Sequence, residues 1–125
     1  MTVSPEPAVA VADRRATVAF VAVVLLSLVV LFSPRAPSEH SVPDLDKVVH
    51  AGLFLLLAAT TWWRFGGARA GLVAVIAYGG ASEIIQWLAL ANRDGDVRDF
   101  CADAAGAVLG WVVARNLAAR RRRSP

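Results

Sequence analysis

The chain has 125 residues, 57% hydrophobic and 18% charged, with a formal net charge of +3. Soluble globular chains run at roughly 45–50% apolar with glycine counted and about 25% charged, so this composition excludes an ordinary soluble domain as well as a disordered or collagen-like chain. The lone Cys101 excludes an internal disulfide, and the lack of a CxxC or Cys/His cluster removes a thiolate zinc site.

A bilayer core about 30 Å thick takes roughly 20 helical residues, and four stretches of suitable length are predicted. The first is Ala16 to Phe32, free of charge and bounded by Arg14-Arg15 before and Ser33-Pro34-Arg35 after. Its apolar run is longer than that of a signal peptide, and Ser33 to Pro37 offers no small-x-small cleavage site, so it reads as a retained helix. The second stretch runs from about Lys47 to Trp63, the third from about Ala70 to Ala91, and the fourth from about Phe100 to Val113 or slightly beyond. The expected fold is all-α, a four-transmembrane-helix bundle. It divides into an N-terminal tail over 1–15, a membrane domain over 16–119 and a basic tail over 120–125.

Four spans put both termini and the middle loop on one side. That side holds Arg14, Arg15, Arg64, Arg69, Arg115 and Arg120 to Arg123, against Arg35, Lys47, Arg93 and Arg98 on the other. The positive-inside rule then makes the termini cytoplasmic. Glu39, Asp44, Asp46, Asp94, Asp96, Asp99 and Asp103 fall on the outer side, with Trp62 and Trp63 at the inner boundary and Trp87 near the outer one. The terminal arginines hold topology and attract anionic lipid. No aromatic residues interleave with them for base stacking, so no nucleic-acid partner is expected.

On the fourth stretch Ala102, Gly106 and Gly110 recur at intervals of four, and Gly106 with Gly110 makes a small-xxx-small pair for helix packing. Gly79 and Gly80 thin the third stretch one turn before Glu83. The pattern suggests a compact bundle with room for a homo-oligomer.

The informative residues are those that hydrocarbon rejects. Glu83 lies roughly 12 Å below the outer surface at 1.5 Å per residue, with Gln86 one turn above it on the same face. Asp46, Lys47 and His50 open the second helix, and Asp99 with Asp103 open the fourth, both pairs of acidic position and partner at i, i+4 spacing. Three helices thus carry polar side chains to one depth, where they can neutralise one another. Plainer roles stand beside this one. Asp44 or Asp96 can be an N-cap, Asp99 a first-turn carboxylate and Lys47 a snorkelling side chain; His50 can be a packed residue, and Cys101 a small apolar filler. Arg93, in the turn Asn92 to Asp96, suits either Glu83 or an anionic ligand such as phosphate.

Asp46-Lys47-Val48-Val49-His50, then Glu83-Ile84-Ile85-Gln86, then Arg93 with Asp96, Asp99 and Asp103-Ala104-Ala105-Gly106, resembles the VanZ-like family of small bacterial membrane proteins. Its pattern is DKxxH at the start of one helix, ExxQ on the next, an arginine in the outer turn, and an aspartate opening a helix that continues with a second Asp or Asn and a glycine. The likeness spans about 46–110, with Asp103 where many members carry asparagine. It implies a multi-span plasma-membrane protein and a link to low-level resistance to the glycopeptide teicoplanin. It supplies no reaction.

The leading expectation is an outer-leaflet site that binds the polar head of a membrane lipid or lipid-linked cell-wall precursor, with modification of that head left open. Lys47 and Arg93 would engage phosphate or carboxylate; His50 and Glu83 are the acid/base candidates; Asp46, Gln86, Asp96, Asp99 and Asp103 would bind or orient. Ser82 has no nucleophile hallmark. His50 with Glu83 or Asp103 could hold a metal, but one histidine is thin support, and neither metal nor cofactor is assigned. The alternative is a non-enzymatic assembly subunit whose polar cluster holds helices in register. Ion conduction fares worst, because Leu53 to Ala59, Gly71 to Ala77 and Ala107 to Val113 carry no ionisable group.

Overall fold

The computed structural model describes residues 7–34, 44–90 and 96–123, and the secondary structure among them is four α-helices. They are α1 (Pro7–Phe32), α2 (Leu45–Phe65), α3 (Arg69–Ala89) and α4 (Val97–Arg123). Three stretches, Asp13–Phe32, Leu45–Phe65 and Arg69–Ala89, are long and apolar enough to cross a membrane. α4 falls short of that composition although its 27 residues extend about 40 Å. Asp99, Asp103 and Arg115 interrupt its apolar run.

Two helix ends differ from the sequence-based bounds. α1 starts at Pro7 rather than Ala16, so part of the expected N-terminal tail is helical; proline suits the first helical position because its missing N–H would be unsatisfied there anyway. At the other end Arg120 to Arg123, in the basic tail, continue α4 as its last turn. Arginine is a good helix former, and cations favour the negative end of the helix dipole.

α2 and α4 form the closest pair. They run parallel, because Gly106 faces the backbone of Ala51 and Gly110, one turn on, faces that of Leu55. A Cβ at either glycine would collide with the carbonyl oxygen of Ala51 or Leu55, so the absence of side chains is what lets the two backbones meet. The core beneath the polar end is Leu31, Leu53, Phe54, Leu57, Ala58, Val75 and Ala107. Phe54 stacks on Tyr78 of α3 with ring centroids 5.9 Å apart.

Along α1, Val18, Val21, Leu25, Leu26, Leu28 and Val29 all face outward, which hydrocarbon tolerates and water does not. Its buried positions are Ala16, Ser27 and Leu31. At the end near the chain termini, Phe20 meets Phe65 edge-to-face at 5.3 Å and Asp13 pairs with Arg64 at 3.3 Å.

α2 ends in a two-glycine turn. Gly66 (φ 73°) and Gly67 (φ 81°) take left-handed backbone, and the Gly66 N–H donates to the Trp62 carbonyl at 3.0 Å. A Cβ at Gly67 would also stand 2.7 Å from Trp62 Nε1. Gly67→Ala should therefore cost about 1–2 kcal/mol, lowering the thermal midpoint in detergent. Gly52→Ala, with open space around it inside a helix, should leave the midpoint unchanged or raise it.

Candidate functional site

The start of α2, the end of α3 and the start of α4 meet at one end of the bundle, opposite the chain termini. His50 (2% exposed), Glu83 (8%) and Asp103 (0%) are buried there together. An ionised carboxylate only accepts, so His50 Nδ1–H donates to Asp103 Oδ1, at 2.8 Å. The same Nδ1 lies 3.8 Å from Glu83 Oε1. Glu83 Oε2 in turn accepts the backbone N–H of Asp96 at 2.9 Å, at the threshold of α4, where the positive end of the helix dipole favours a carboxylate.

Local sequence explains each placement. Gly79 has no side chain, and a Cβ there would stand 3.2 Å from Asp103 Cβ and 3.1 Å from Phe54 Cε1. α3 can thus close over Asp103 and bring Glu83, one turn later, beside His50. Asp96 acts as the N-cap of α4, its Oδ1 accepting the Arg98 N–H at 2.9 Å. Asp44 occupies the corresponding place before α2, with φ 66°, but its side chain makes no cap hydrogen bond; it pairs with Lys47 Nζ at 3.6 Å.

Around the buried trio stands a wetter group. Lys47 Nζ lies 3.9 Å from Asp99 Oδ1, and Asp46, His50 and Asp99 bring donor atoms within 4.8 Å of one another. Lys47 is half-buried at the rim and Asp99 is buried. The arrangement offers one ammonium and one imidazole among four carboxylates, able to hold a proton, a cation or a polar headgroup.

Other expected residues sit differently. Gln86 is buried, and its Nε2 donates to the Leu31 carbonyl of α1 at 2.7 Å, which secures α1 to α3. Arg93 lies outside the described residues, as do Arg35, Glu39 and Asp94. Cys101 is exposed rather than filling the core. Ser82 Oγ donates to the Gly79 carbonyl at 2.8 Å, within its own helix. Gly106 and Gly110 lie one and two turns below Asp103, where they seat α4 against α2.

Ser27 and Tyr78, to which the sequence assigns no role, pair across helices. Ser27 Oγ, fully buried, donates to the Val24 carbonyl at 2.7 Å and shares a 3.0 Å hydrogen bond with Tyr78 Oη. A hydroxyl deep in a span that is otherwise apolar from Val18 to Phe32 is the available signal, since it needs a partner there. Tyr78 also borders a cavity of about 480 Å³, lined by Phe20, Val24, Leu57, Phe65, Gly71 and Val75 among others. That cavity lies away from the ionic cluster, toward the opposite end, and is apolar.

Comparison with curated proteins and with solved structures finds no match. A family model described as VanZ/LLP1 matches residues 7–118. The matched stretch takes in α1 as well as the three helices that carry the cluster, a wider span than the 46–110 over which the motifs run, and the chain belongs to the VanZ/LLP1 family.

Proposed function

We propose that the protein binds the polar headgroup of an envelope lipid or lipid-linked cell-wall precursor at the end of the bundle where His50, Glu83 and Asp103 meet, with acid/base work by His50 and Glu83 on that headgroup. In this reading α4 crosses the bacterial plasma membrane as a fourth span, the termini are cytoplasmic and the site faces the outer leaflet. The observation that carries it is the buried trio drawn from three helices, with Lys47 half-buried at its rim. Charged side chains inside a membrane protein are costly, and mark substrate paths more often than not. Lys47 would meet the headgroup phosphate, with Arg93 as the second candidate cation. The apolar cavity beside Tyr78 is large enough to border acyl chains. The family link to teicoplanin tolerance fits a ligand drawn from wall synthesis.

The test is mass spectrometry of lipid retained by the purified protein. Lys47→Met should reduce the retained phospholipid or precursor by about tenfold, since a charge-assisted hydrogen bond contributes about 1.5–3 kcal/mol, while the circular-dichroism spectrum is unchanged. Equal retention by wild type and Lys47→Met, or only bulk membrane lipid in both, would refute the headgroup site.

A second reading, an assembly subunit without chemistry, is favoured by a different observation: Gln86 and Asp96 both join one helix to another. It expects Glu83→Gln to disturb folding and partner association together, where the headgroup reading expects a folded protein with altered envelope lipids or drug tolerance.

A further inference from the structure

We propose that His50, Glu83 and Asp103 form a site for one divalent transition-metal cation, held by His50 Nδ1, Asp103 Oδ1 and Glu83 Oε1. The sequence offers two histidines, His40 and His50, and no metal-binding motif; it is the folded arrangement that assembles a donor set around His50.

Three observations carry the proposal. Among the described residues Glu83 Oε1 and Asp103 Oδ2 are buried with no hydrogen-bond partner. Buried carboxylate oxygens are normally satisfied, because leaving one without a donor in a low-dielectric interior is costly. Glu83 Oε1 faces the His50 ring across 3.8 Å, a gap that a cation would fill. Two of the separations also fit. Two ligands bound to one ion at about 2.1 Å can stand at most about 4.2 Å apart, and Nδ1 lies 2.8 Å from Asp103 Oδ1 and 3.8 Å from Glu83 Oε1. Finally, the three donors lie within 4.8 Å of one another and all three residues are buried, so the site is built into the helix packing and does not depend on surface side chains.

One imidazole with two carboxylates suits Mn²⁺, Fe²⁺ or Zn²⁺ better than Ca²⁺, which takes six to eight oxygens. In the cation-bound form the ring proton resides on Nε2, leaving Nδ1 to the ion. Three protein ligands leave coordination positions open, the arrangement of sites where a metal also meets an outside ligand. That outside ligand would be a phosphate oxygen, a step that rests on the headgroup proposal above. It removes a difficulty in that proposal, since an anionic phosphate entering among Asp46, Glu83, Asp99 and Asp103 would otherwise be repelled.

The intact protein in detergent, treated with EDTA, dialysed and titrated with MnCl₂ alone, should bind one Mn²⁺, seen as loss of the free-ion electron paramagnetic resonance signal. Glu83→Gln should weaken binding at least about tenfold with unchanged helical content, and His50→Gln should do the same. Absence of Mn²⁺ and Zn²⁺ binding by folded wild type at millimolar concentration would overturn the proposal, as would wild-type affinity in both variants. If a variant does not fold, the wild-type titration decides alone. The two proposals fail separately: stoichiometric Mn²⁺ with no selectively retained phosphate-bearing lipid counts against the headgroup site only, and lipid retained by protein that binds no cation counts against the metal site only.

Discussion

Asp103→Leu should destabilise the protein by about 3–5 kcal/mol, the penalty for removing one partner of a buried ion pair and leaving the other stranded. Asp103 is fully buried, its Oδ1 bonded to His50 Nδ1 at 2.8 Å, with Phe54 and Gly79 packed around it. Hydrogen bonds between membrane helices usually contribute only about 0.6–2 kcal/mol. The larger figure applies because the loss includes a charged, water-excluded group. His50→Leu combined with Asp103→Leu should recover only part of the stability, since the buried Glu83 carboxylate, 3.8 Å from His50 Nδ1, loses its neighbour as well. Reversible unfolding in mixed detergent micelles, followed by circular dichroism, checks both variants. A single-variant loss below about 1 kcal/mol would mean that the pair contributes little to the fold and is present for chemistry alone.

Gly106→Val should separate α2 from α4. The collision of an added Cβ is with the Ala51 main chain and not with a side chain that can rotate away, so the helices themselves must move. Overpacking costs typically about 1–3 kcal/mol, and a rigid backbone partner puts this case at the upper end or beyond. The effect should reach the site, because Asp103 is one turn from Gly106 on the same helix and meets His50, one residue before Ala51. Loss of the folded monodisperse species on size exclusion is the expected readout. Gly80→Ala is the matched control: its added Cβ would meet only Phe100, at an ordinary 3.5 Å, and should be tolerated.

Much of this arrangement is legible in the sequence, for a specific reason. Helical rise is constant, so counting residues from each helix end places Glu83, His50 and Asp103 at one depth before any coordinates are known. What counting cannot supply is rotation and pairing across helices. Gln86 shares a face with Glu83, yet its amide finds the Leu31 carbonyl because α1 ends beside it; no local pattern reveals which main-chain group will be near. The role of Asp96 was half visible: the cap follows from its position, but the N–H given to Glu83 does not. Charge marks the edge of an apolar run but not the end of a helix. Arginine disfavours the bilayer interior but not the helix, so α4 continues through Arg123. Cys101 was assigned by residue type alone, and its outward placement follows from the turn of α4 that buries its neighbours Asp99 and Asp103.

Among the described residues α1 contributes no group to the ionic cluster; it meets its neighbours through the Ser27 hydroxyl, the Leu31 carbonyl, the Phe20 and Asp13 contacts near its start, and Val23, Val24, Val30 and Phe32 packed on the core. Most of its circumference faces outward. Mutation can therefore exchange one aliphatic residue for another around that perimeter at little cost, whereas Ser27, and the small Ala16 packed against the bundle, have few acceptable replacements. Sequence drift in this protein should be fastest where it is most hydrophobic.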